Sequence, residues 1–262
     1  MDLGLEGKRA FVAGSSSGIG RAIAASLLAE GAHVVINGRK ADKLERTRRE
    51  LEALYGPRVH IAVADVGRGD EAAEAVKAAT TRMGGLDILV TNSGGPPAGL
   101  FEKLDEAAWR GAVDLLLIST VRMVQTALPA LFKSSQPRIV HLTSVTVKQP
   151  IHGLVLSNAV RAAVVGLGKS LSLELADKGV LVNVVAPGIV DTDRVRELDE
   201  ANAEMQRRPV GEIATERART IPMGRMGTPE EVGDVVAFLW SARAGYVTGT
   251  TLAVDGGLVR GV

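Results

Sequence analysis

The chain has 262 residues, 46% hydrophobic and 23% charged, enough to bury the core of one large domain or two small ones. Its 31 basic and 30 acidic side chains leave a formal charge of +1, which gives no electrostatic basis for holding nucleic acid or acidic lipid. There is no cysteine and only four scattered histidines, so disulfides and thiolate chemistry are excluded and nothing suggests a metal site.

In chain order, short apolar runs alternate with longer helical patterns. Strands are predicted at 8–13, 33–37, 59–63, 87–91, 138–143, 181–185 and 251–254. Helices are predicted at 18–30, 41–54, 71–83, 107–131, 154–178 and 230–240, several of them closed by glycine or Gly-Pro. Alternation of this kind, with strands apolar on both faces, predicts an α/β fold. The expected architecture is a single Rossmann-type, doubly wound parallel sheet of about seven strands with helices on both faces. No repeat or linker divides the chain, so one domain is expected over 1–262. Residues 191–223, rich in Arg and Glu and without clean periodicity, read as a mobile flap over a site. The N-terminal segment lacks the basic lead and apolar stretch of a signal peptide, and no apolar run approaches the about 18 residues of a membrane helix, so a cytoplasmic protein is expected.

The first strand runs into Gly14-Ser15-Ser16-Ser17-Gly18-Ile19-Gly20, where a helix opens. Glycines at this spacing let the backbone approach a diphosphate, and the helix N-terminus offers free N–H groups. A carboxylate at the end of the second strand would select NAD through the adenosine ribose. Here that end reads Asn37-Gly38-Arg39-Lys40, with two cations and no acid. Arg39 suits a 2′-phosphate, with Lys40 beside it and the hydroxyls of Ser15 and Ser16 in support, so NADP(H) is expected over NAD(H). The alternative is that Arg39 and Lys40 only begin a solvated helix.

Together with Asp65-Val66, Thr91-Asn92-Ser93-Gly94, Pro187-Gly188, Thr192 and Asp255-Gly256-Gly257, this loop resembles the short-chain dehydrogenase/reductase family, and most of all its carrier-protein-linked 3-oxoacyl reductases. The resemblance spans essentially the whole chain. It implies that Asp65 and Val66 flank the adenine and that Asn92, Ser93 and Gly94 lie along the middle of the cofactor. Pro187, Gly188, Val190 and Thr192 would hold the nicotinamide end. For Asn92 a second reading stays open, that it only ties neighbouring strands. The resemblance also implies a homotetramer built through the two long helices and the last strand.

The chemical residues depart from the family pattern. The family uses an Asn, a Ser and a Tyr-x-x-x-Lys pair; in this chain the serine is Ser144, but Ser157 stands at the Tyr position, Arg161 at the Lys position and Leu116 at the Asn position. The only tyrosines, Tyr55 and Tyr246, fall far from that segment. A serine hydroxyl is much less acidic than a phenol, and arginine keeps its proton, so neither replaces the usual proton relay. Lys148 and His152 lie between Ser144 and Ser157 and are alternative donors, or simply exposed loop residues. Two functions follow from the resemblance. One is an NADP(H)-dependent oxidoreductase working on a small-molecule carbonyl or alcohol, 3-oxoacyl groups on a carrier included, with a non-standard proton donor. The other is a catalytically impaired NADP(H)-binding module serving as a redox sensor or partner subunit.

Overall fold

In a computed structural model, described for residues 2–261, the elements run in the expected alternation. Seven strands, β1 (Arg9–Val12), β2 (His33–Gly38), β3 (Val59–Val63), β4 (Ile88–Thr91), β5 (Arg138–Leu142), β6 (Leu181–Pro187) and β7 (Thr251–Val254), form one sheet. Its order is β3-β2-β1-β4-β5-β6-β7, and every pairing is parallel. The strand order reverses beside β1, between β2 and β4, and ligands of open α/β sheets bind at the carboxyl ends of the strands at such a crevice.

The helices are α1 (Gly18–Ala29), α2 (Ala41–Tyr55), α3 (Glu71–Met83), α4 (Glu106–Val113), α5 (Ser119–Leu131), α6 (Val155–Glu174), α7 (Asp193–Gln206), α8 (Val210–Arg219) and α9 (Pro229–Trp240). Side chains of a strand alternate between faces, so one strand feeds two cores. Ala10 and Val12 enter a cluster with Ile23, Leu27, Val236 and Trp240 from α1 and α9. Phe11 and Ala13 enter a second with Val76, Met123 and Leu131 from α3 and α5. That is why β1 reads as an unbroken apolar run.

Three expectations change. The segment 191–223 is not irregular: it forms α7 and α8, which pack on each other. Their buried surface is narrow, with Ala203 and Ile213 joined by a buried pair in which Arg217 Nη2 stands 2.5 Å from Asp199 Oδ1. A pattern this polar carries little periodic signal, because exposed ion pairs such as Arg194–Glu197 occupy the rest of the helix surface. The predicted helix 107–131 is continuous from Glu106 to Leu131 but contains a π turn, Asp114–Ile118. Contrary to the sequence reading, this 26-residue helix holds an 18-residue window of mean hydropathy 1.3, so by length and composition it could cross a membrane; here 39% of that window is buried inside the fold, against α3 and α6. The predicted helix 154–178 ends at Glu174, followed by a separate 3-10 turn, Ala176–Lys178.

Candidate active site and cofactor cleft

The glycine loop is fixed by close backbone contacts. Gly14 is left-handed, with φ of 57°. A Cβ on Gly20 would stand 2.3 Å from the Gly14 carbonyl oxygen, so the loop lies directly against the first turn of α1. That turn has neither a side-chain cap nor an acidic residue, which leaves its N–H groups and positive dipole end for an anion. A dinucleotide's diphosphate fits this cradle.

The neighbouring residues divide into those that face the cradle and those that build it. Ser15 is fully buried: its hydroxyl donates to the Val12 carbonyl at 2.6 Å and accepts from Asn37 N at 2.8 Å. The hydroxyl expected to help hold a phosphate is therefore committed to the strand ends. Asn37 was not anticipated. Its Oδ1 accepts from Gly14 N at 3.2 Å and its Nδ2 donates to the Ala62 and Ala64 carbonyls, so it binds the ends of β1, β2 and β3 to the loop. Asn92 ties in the same way, donating from Nδ2 to the Ala13 and Gly14 carbonyls, both at 3.2 Å. Ser16, Ser17 and Ile19 remain part-exposed on the loop. Thr192 reaches the loop from the far side of the cleft: a Cβ on Gly18 would lie 3.4 Å from its Cγ2.

Arg39 is 75% exposed and stands 4.0 Å from the Asp65 carboxylate, which also faces Arg68 at 3.7 Å. Lys40 is exposed at the start of α2. Val66 is buried in the second core cluster, Ser93 donates to the Gly94 carbonyl at 3.2 Å, and Gly94 is exposed. Gly188 N donates to the Val254 carbonyl at 2.9 Å, and a Cβ on Gly188 would meet Asp255 Cα at 2.8 Å, so Pro187-Gly188 is pinned against the turn after β7. The Val190 side chain packs in the first core.

At the other end of the cleft, Ser144 caps the 3-10 turn Val145–Val147. Its Oγ accepts from Thr146 N at 3.3 Å, so its own proton is available. Ser157 and Arg161 lie one turn apart on α6, and Arg161 Nε donates to Ser157 Oγ at 3.2 Å. Arg161 Nη1 also approaches the Leu142 carbonyl at 3.4 Å, two residues before Ser144. No carboxylate pairs with Arg161 among the described residues, and burial pushes its pKa down to about 10, still protonated at neutral pH. Leu116, in the π turn, packs with Ala112, Leu156 and Val160 and forms an apolar wall. Lys148 and His152 are exposed in the preceding loop. Tyr55 packs beside the first core at the end of α2, and Tyr246 is fully exposed before β7. Among the described residues, no phenol stands near Ser144.

Residues 13–259 match the family model described as enoyl-(acyl carrier protein) reductase. The chain is 34% identical to a 3-oxoacyl-[acyl-carrier-protein] reductase of Aquifex aeolicus, over 98% of this chain and 100% of that one. The chain belongs to the short-chain dehydrogenase/reductase family. Among solved structures, the L-sorbose reductase of Gluconobacter frateurii in complex with NADPH and L-sorbose superposes with a TM-score of 0.96, at 30% identity over the full length of both chains. An NADPH-bound short-chain oxidoreductase of Pseudomonas aeruginosa PAO1, described as containing an atypical catalytic center, superposes at 0.89, with 32% identity over 97% of this chain and 98% of that one.

Proposed function

We propose that this member of the family is an NADPH-dependent reductase that converts a carbonyl to an alcohol in the cleft beside Ser144, Ser157 and Arg161. The observation that carries the reading is the unpaired Arg161 guanidinium, held by the Ser157 hydroxyl and the Leu142 carbonyl next to a serine with a free proton. NADPH, when bound, supplies the hydride. Gly14, Ser16, Ser17, Gly18, Ile19 and Gly20 would cradle its diphosphate, with Arg39 and Lys40 toward the 2′-phosphate. Asp65 and Val66 would line the adenine end, Ser93 and Gly94 the middle, and Pro187, Gly188, Val190 and Thr192 the nicotinamide end. Ser15 and Asn92 support the loop from behind. The NADPH complexes of the Gluconobacter and Pseudomonas neighbours support this cofactor.

Ser144 orients the substrate oxygen by donating a hydrogen bond to it from its free O–H. Arg161 opposes negative charge that develops on that oxygen, an effect strengthened where water is excluded. Ser157 is too weak an acid, and Arg161 commits its Nε and Nη1 protons to Ser157 and the Leu142 carbonyl, so the proton that completes the alcohol comes from water entering past the exposed 148–153 loop. Candidate substrates are a 3-oxoacyl thioester on a carrier, as the Aquifex relative's name indicates, or a keto sugar, as for the Gluconobacter neighbour. The exposed Leu173, Phe238 and Leu252 support a homotetramer closed on the β7 side, and sedimentation of the purified chain tests it. A cytoplasmic location belongs to the same reading.

The test is consumption of NADPH by the purified protein with a panel of 3-oxoacyl thioesters, keto sugars and simple ketones. Turnover above background is expected for at least one class. NADPH binding with no turnover in any class would overturn the enzyme. It would favour a cofactor-binding sensor or partner subunit, a role that Leu116, Ser157 and Arg161 also fit.

A further inference from the structure

A groove of about 300 Å³ runs beside the glycine loop, between the start of α2, the exit of β6 and the start of α9. Four cations line it: Arg21, Lys43, Arg46 and Arg196. Two of these are already paired, Arg21 with Glu50 at 3.1 Å and Arg196 with Asp191 and Asp193 at 3.0 and 3.2 Å. Neither Lys43 nor Arg46 has a carboxylate partner among the described residues. Arg46 is exposed one turn along α2, whereas Lys43 is half-buried and its Nζ donates to Ser17 Oγ in the loop at 2.9 Å.

Three features meet where Lys43 stands. The end of β2, where the adenosine ribose of a Rossmann-bound dinucleotide lies, abuts the loop: a Cβ on Gly38 would be 3.1 Å from Ser16 Cβ. Thr47, one turn beyond Lys43, donates from Oγ1 to the Ser16 carbonyl at 2.9 Å and fixes α2 against the loop. Lysine has three donors and spends one on Ser17, which leaves two for an anion, and Ser17 keeps its own hydroxyl proton. Arg39, by contrast, is largely solvated and shares Asp65.

We infer that Lys43, with Ser17, is a determinant of selectivity for the 2′-phosphate of NADPH, acting from α2 in addition to Arg39. The inference rests on the NADPH reading above. It adds an ammonium held by the loop to a more exposed guanidinium. A charge-assisted bond to phosphate is stronger than a neutral one and weakens with added salt.

Direct binding by the full-length protein tests it, using NADPH, NADH, 2′,5′-ADP and 5′-AMP, with wild type, Lys43→Met and Lys43→Arg. Wild type is expected to prefer NADPH, and Lys43→Met to weaken NADPH and 2′,5′-ADP by about tenfold while leaving NADH and 5′-AMP within about twofold. Lys43→Arg should restore most of the loss, and added salt should narrow the wild-type preference for NADPH. In a wild type that prefers NADPH, an equal loss for both dinucleotides, or no loss, overturns the role of Lys43 alone. A wild type without preference overturns the cofactor reading and this inference with it.

Discussion

The two ends of the cleft are built on different terms. At the glycine loop the backbone itself is the binding surface: Gly20 touches the Gly14 carbonyl, and Asn37, Asn92 and Ser15 spend their side chains holding that arrangement. At the Ser144 end the backbone supplies a capped turn after β5 beside α6, and the site there is made of side chains, Ser144, Ser157 and Arg161. A backbone site tolerates few substitutions, because a Cβ at Gly14 or Gly20 collides. A side-chain site tolerates many, because α6 forms equally well with serine and arginine at positions 157 and 161. An end built from backbone and an end built from side chains can therefore vary independently within one fold.

The largest effect is expected where backbone meets backbone. Gly20→Val would force the loop away from α1, abolishing measurable NADPH binding in a titration and costing about 1–3 kcal/mol of stability by overpacking. Retention of wild-type affinity would show that the loop is not the cradle. Next, Ser144→Ala removes a single donor to the developing oxyanion. It should lower kcat by roughly 10²-fold with the Kd for NADPH unchanged. Equal rates for wild type and variant would remove the serine from the reaction.

His141 sharpens the comparison through pH. It is fully buried between β5 and α6, its Nδ1 shares a hydrogen bond with Thr91 Oγ1 at 2.8 Å, and burial pushes its pKa down to about 4. The folded protein keeps this ring neutral while the unfolded chain protonates it. Stability is therefore fully present above the ordinary histidine pKa and is lost as pH falls from there toward about 4, by about 3 kcal/mol. His141→Gln should flatten that part of the acid melting curve. An unchanged curve would assign the acid sensitivity elsewhere.

A smaller effect is expected from Arg161→Met. Removing an unpaired, partly desolvated charge should raise the melting temperature of the cofactor-free protein by a few degrees, about 1 kcal/mol, while turnover falls. A lower melting temperature would mean that the Leu142 and Ser157 bonds outweigh the desolvation of the charge. The two readouts moving in opposite directions would mark Arg161 as a group kept for function.

Much of this molecule was legible in its sequence. Apolar strand runs, glycine punctuation and helical spacing fixed the alternation and the parallel sheet, since local hydrophobic period and turn chemistry are properties of neighbouring residues. Spacing also singled out Ser157 and Arg161, which the fold brings into hydrogen-bond contact. Residues 193–219 were not legible as helices, because their surfaces are covered by ion pairs and only a thin line is buried. Nor were the uses of polar side chains: Ser15 and Ser17 are sequence neighbours of the same type, yet one is sealed beneath the strand ends and the other meets Lys43. Asn37, Lys43 and Thr47 gave no signal, because their partners lie more than 20 positions away and come within reach only when β2 and α2 dock against the loop. Sequence alone determined which chemical groups this protein possesses and which it lacks. Tertiary packing decided which of them are committed to holding the fold and which are left free, because that depends on distances between segments that local pattern does not encode.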